Sequence, residues 1–189
     1  MHTDAYAGPE TEVNGRLRLF SLYVDFAASA HARWAAGAIA KLAGPRWQCS
    51  TEMWKLDSLN ASESVKKMVA GDAANADVLI VAASSLDQRE QKLIEWLDSL
   101  ATSKTNCPVP GLLVGLFGDE ENRSRELEWT AQQFIYCARQ MGRRLLLQWM
   151  ERGSTNDYDW LADGVKTLLA RKQSTPGAAF RQETAAVAS

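Results

Sequence analysis

Two stretches of this chain limit its fold more than anything else in it. Ala76-Asp77-Val78-Leu79-Ile80-Val81-Ala82-Ala83-Ser84-Ser85 is an apolar run with a polar entry and two serines at its exit. Gly111 to Gly118 (GLLVGLFG) is apolar throughout. Runs this short, with no polar member inside, suit strands buried on both faces, because an unpaired polar side chain would be stranded on either side. Both stretches therefore predict interior strands of a parallel sheet, with the rest of the chain layered around the first.

The flanking segments alternate in type. Leu17 to Phe26 (LRLFSLYVDF) mixes leucine, aromatic and β-branched residues and reads as a first strand. Ala28 to Ala43 follows as a helix with Ala30, Trp34, Ala38 and Leu42 on one face, stopped by Gly44-Pro45. Trp47 to Trp54 alternates with period two and has one polar side, the pattern of an edge strand. Asn60, three residues before Glu63, has the chemistry to cap a helix with Val65, Met68, Val69 and Ala73 inward.

After the central strand, Ser84 or Ser85 is expected to cap a helix over Asp87 to Ala101 that buries Leu93, Leu97, Leu100 and Ala101. Ser124 to Met141 is a helix with Leu127, Ala131, Phe134, Ala138 and Met141 inward, ended by a left-handed Gly142. Arg144 to Met150 is the last strand, and Asp157 caps a helix with Leu161, Val165, Leu168 and Leu169 aligned.

Strand and helix alternate five times, which implies parallel strands with helices on both faces. The expected fold is a three-layer α/β domain with the flavodoxin-like strand order 2-1-3-4-5. It occupies residues 16–172, between a loose lead (1–15) and an Ala/Thr/Ser-rich tail (173–189) expected to be disordered.

Charge and cysteine usage narrow the function classes. A net charge of −2 gives no general attraction to nucleic acid or to an anionic membrane. No apolar run reaches the roughly 20 residues that span a bilayer, and residues 1–15 lack the apolar core of a signal peptide. Cys49, Cys107 and Cys137 are scattered, with neither metal-ligand nor disulfide spacing, as expected of ordinary thiols in a reducing cytoplasm.

In such a sheet, ligands sit beyond the carboxyl ends of the strands. Asp25, Phe26, Ser84, Ser85, Gly118, Asp119 and Glu120 are delivered there, with Glu151 and Arg152 after the last strand. Asp25, Ser84, Ser85, Asp119 and Glu120 form the candidate set for an enzyme or small-ligand binder. Helix capping by the serines and solvation of the acids is the plainer alternative. No dinucleotide or P-loop glycine motif occurs, and Phe26-Ala27-Ala28-Ser29 lacks the residues to wrap a flavin phosphate. His31, the one histidine outside the lead, stands alone among alanines and reads as a packing residue rather than a base.

From Asp25 onward the pattern resembles a response-regulator receiver domain over about Leu17 to Arg171. That resemblance implies a magnesium site near Asp25 and a phosphoacceptor carboxylate ending the third strand. Ala82 and Ala83 stand where that carboxylate is expected, Leu116 and Phe117 replace the expected Ser/Thr, and Gln148 to Met150 replace the lysine. A methyl group cannot accept a phosphoryl group, so aspartyl phosphorylation is excluded on this alignment. Ser84, Ser85 and Glu95 also resemble the serine and helix-borne glutamate of TIR domains, which would imply NAD cleavage. Glu52 to Asp57 and Ala76 to Val81 are similar to a set of small bacterial proteins, a likeness that brings no function.

The expected function is a non-catalytic, receiver-like signalling or protein-interaction module with no cofactor and no metal. Its partner is another protein, a second copy included. Seven tryptophans are many for 189 residues. Trp54, Trp129 and Tyr136 are the candidate contacts, since exposed Trp and Tyr dominate protein interfaces.

Overall fold

The computed structural model describes residues 13–60, 62–84, 89–102, 110–118, 125–149 and 159–175. In chain order the elements are β1 (Gly15–Tyr23), α1 (Phe26–Ala43), β2 (Trp47–Lys55), a 3-10 turn (Leu56–Asn60), α2 (Glu63–Asn75) and β3 (Val78–Ala83). They continue with α3 (Glu90–Thr102), β4 (Leu112–Phe117), α4 (Arg125–Gln140), β5 (Arg144–Trp149) and α5 (Asp159–Ser174). All five strands run parallel in the order β2-β1-β3-β4-β5. The expected three-layer α/β fold and strand order are what the chain adopts.

The two apolar runs do occupy the interior. Every residue of β3 and β4 is buried, and β3 pairs with β1 on one side and β4 on the other. Alternation sorts their side chains into two cores. Leu79, Val81, Leu113 and Phe117 face α2, α3 and α4, whereas Val78, Ile80, Leu112 and Val114 face α1 and α5. Both edges, β2 and β5, are only partly covered.

Several local expectations shift. Asp25 and Phe26 leave the first strand, because the Asp25 carboxylate accepts from Ala28 N and starts α1 one residue later. The buried residues of α1 are Ala28, Ser29, Ala32, Ala35, Ala36, Ala38 and Ile39; of the expected face Ala38 is inward, Ala30 points out, and Trp34 and Leu42 sit at the margin. Small side chains win this face because they let the helix lie close to the sheet. Ser62 rather than Asn60 caps α2, since Asn60 is used up by the 3-10 turn. Met68 is half-exposed, leaving Val69, Ala73 and Ala74 as the buried residues of α2. Gly142 has the expected left-handed φ of 63°. The helix expected from Asp87 begins at Glu90, and the expected caps Ser85 and Asp157 lie outside the described residues, as do the tail from 176 and the lead to residue 12.

The amino edge of the sheet is closed by charge. Asp77, 4% exposed, takes the Lys172 ammonium on Oδ1 at 2.6 Å and the Arg18 backbone N–H on Oδ2 at 2.8 Å. Buried Arg143 donates to the carbonyls of Ala73 and Ala74 in the last turn of α2, where Ala73 O also takes the Ala76 N–H.

Candidate functional site

At the carboxyl edge, β1 and β3 diverge where α1 departs toward one face and α3 toward the other, the usual ligand position in this topology. Of the candidate residues, the fold brings together Asp25 and Ser84. Asp25 Oδ1 accepts from Ala28 N at 2.9 Å, and Oδ2 accepts from Ser84 N at 2.9 Å. One carboxylate thus caps a helix and ties the end of β3 to it. Capping of this kind stabilises by about 1 kcal/mol, and the negative charge suits the positive end of the α1 dipole.

Ser84 Oγ is buried without a partner among the described residues, so it caps nothing there. Gly118 closes the other side: its N–H donates to Ala83 O at 2.9 Å, and a Cβ on it would stand 2.0 Å from Ser84 O. Ser85, Asp119, Glu120, Glu151 and Arg152 lie outside the described residues. Phe26 follows the cap and is 91% exposed, while Phe117 is fully buried against Phe134 and Trp149.

The other titratable candidates stand apart. Burial holds the His31 imidazole below its usual range, partly offset by the Asp25 carboxylate, so it is neutral at neutral pH. Glu95 is exposed on α3 and accepts from Gln91 at 2.9 Å. Cys137 is buried; burial and its hydrogen bond to Asp98 push the thiol up to about 12, leaving it protonated and unreactive. Cys49 is a free thiol raised by burial, and Cys107 is not among the described residues. Among the described residues no three His, Cys, Asp or Glu side chains group as metal ligands, and no helix is long and apolar enough to cross a membrane.

The aromatic candidates divide. Trp54 is half-buried and packs against one of the two hydrophobic cores. Trp129 (49% exposed) and Tyr136 (54%) stand seven residues apart, two turns on one side of α4, with Ile135 (40%) beside them. The opposite side of α4 is anchored by buried Thr130, Phe134, Cys137 and Ala138. Trp129 and Tyr136 were expected as contacts by residue type; Ile135 lies outside the expected inward set of α4 and has no aromatic ring to mark it as a contact.

No family model matches this chain, and no curated protein matches it. Among solved structures it is similar to a short-chain flavodoxin associated with a bacterial microcompartment, with a TM-score of 0.55 at 13% identity, over 82% of this chain and 97% of that one. It is also similar to a Streptococcus pneumonia TIGR4 flavodoxin (TM-score 0.46, 11% identity, 82% and 96% covered). A third is the WrbA-like flavodoxin of Agrobacterium tumefaciens (TM-score 0.47, 12% identity, 84% and 99% covered). At such identities the first likeness defines the fold alone, and it is flavodoxin-like; the other two carry no weight in the argument.

Proposed function

We propose that this chain is a non-catalytic, receiver-like interaction module that recognises another protein through α4 and the adjoining β5 edge. The observation that carries the reading is the exposure of Trp129, Ile135 and Tyr136 on the outer side of a helix whose other side is fixed in the core. Large apolar side chains left in water on a rigid support are what interface hot spots are made of. The end of β3 holds Ala82 and Ala83, both buried methyl side chains, so the phosphoacceptor of an ordinary receiver has no counterpart there.

The name of the structural neighbours raises flavin as a ligand, and the described residues at the carboxyl edge do not fit it. A phosphate at the start of α1 would meet the Asp25 carboxylate, which already takes the Ala28 and Ser84 amides. Two like charges at 4 Å repel by about 1 kcal/mol in water and about 4 kcal/mol at the effective dielectric of a protein surface.

A photo-crosslinking amino acid at position 136 tests the interface in the native host. One discrete adduct is expected there and none from the same residue at exposed Lys166 on α5. The adduct's mass separates a second copy from a different protein. Equal labelling at both positions, or none at 136, would remove α4 as the recognition surface.

A further inference from the structure

A cavity of about 370 Å³ opens between α2 and α3 above the 3-10 turn, sharing no residue with the α4 surface. Its apolar wall is buried Leu56, Leu59 and Trp96. Its rim carries Lys66, Lys67 and Lys92 against Glu63 and Glu95, an excess of one positive charge. Lys66 is already engaged by Glu63 at 2.8 Å, and Glu95 accepts from Gln91. Neither Lys67 nor Lys92 forms an ion pair within 4 Å among the described residues, although the Lys67 charge is felt by Glu63.

Trp96 supplies the second observation. Its ring is 9% exposed and stacks on Phe20 with centroids 6.2 Å apart and planes 20° from parallel, which fixes its orientation. Its indole Nε1 is buried, with no acceptor among the described residues, so the ring presents carbon to the groove. A fixed aromatic wall below two rim ammonium groups suits a molecule with a flat apolar body and one negative charge.

We propose that this groove binds a small amphipathic carboxylate. Its flat apolar body lies against Leu56, Leu59 and Trp96, and its carboxylate is held by Lys67 and Lys92. A cavity of this size is in the range of small-molecule sites, and a few convergent donors on an apolar wall give orientation and selectivity. Glu63 and Glu95 on the rim disfavour dianions.

Titration of the full chain with 2-naphthoate, followed by calorimetry and by tryptophan fluorescence, tests this. Saturable one-to-one binding with a Kd below about 1 mM is expected, with the neutral 2-naphthamide at least about tenfold weaker. Lys92→Glu, a change at an exposed position, should weaken 2-naphthoate about tenfold, while Lys166→Glu on α5 leaves it unchanged. Equal affinity for acid and amide, or indifference to Lys92→Glu, would overturn the proposal, as would no binding at all. Self-association abolished by Lys92→Glu would assign the groove to a second copy and overturn it too.

Discussion

Gly118→Ala should destabilise the protein by about 3 kcal/mol, the upper end of what overpacking costs. The added methyl would lie 2.0 Å from the carbonyl oxygen and 2.8 Å from the carbonyl carbon of Ser84. Both are backbone atoms, so no rotamer change can yield; the ends of β3 and β4 must part. That movement strains two hydrogen bonds, Gly118 N to Ala83 O and Ser84 N to Asp25 Oδ2. The midpoint of urea unfolding would fall, and Tm with it by about 6–12 °C for a chain of this size. Gly37→Ala is the internal control. Nothing lies within 4 Å of a Cβ there, and the site is an exposed mid-helix position of α1. It should stabilise by about 0.5–1 kcal/mol. Equal behaviour of the two variants would contradict the close approach of β3 and β4.

Lys172→Ala should cost about 3 kcal/mol, the low end for stranding a buried charge. Asp77 is buried, and its Oδ1 has the Lys172 ammonium at 2.6 Å. Removing the ammonium leaves the carboxylate in place with the Arg18 N–H as its remaining donor among the described residues. Converting both partners, Asp77→Asn with Lys172→Met, should recover most of the loss, because what destabilises is an unpaired charge rather than a missing attraction. A double-mutant cycle by urea unfolding reads this coupling directly. A Lys172→Ala variant as stable as the wild type would show that Asp77 is hydrated rather than sealed by α5.

How much of this could be read from the sequence depends on what kind of contact each residue makes. Val78–Ala83 and Leu112–Phe117 announce themselves because burial on both faces removes every polar alternative. The strand order follows from the alternation around them. Asp25 was legible as a residue delivered to the carboxyl edge, but its work was not. The second bond, to Ser84 N, joins residues 59 apart, and no local pattern encodes such a distance. Ser62 and Asn60 are both good caps by type, and only the 3-10 turn that consumes Asn60 decides between them. Lys172 reaching Asp77 was invisible for the same reason, since it depends on α5 crossing the amino end of β3. Trp54 lies on the polar side of its strand, where Gln48, Ser50 and Glu52 are exposed, yet at the end of that strand it packs against the core. The α2–α3 groove is a gap between two separately legible helices, and a gap has no residue of its own to mark it.

The start of α1 decides whether this chain takes a flavin phosphate. Open amides at a helix N-terminus bind anions; here the Asp25 carboxylate already accepts from Ala28 N and Ser84 N. Titrating a fixed, dilute solution of FMN with the purified chain and following flavin fluorescence measures this in one step. The account predicts fluorescence unchanged at a roughly hundredfold excess of protein over the concentration that saturates a micromolar site. Stoichiometric quenching, relieved by competing flavin, would contradict it and return the chain to flavin chemistry.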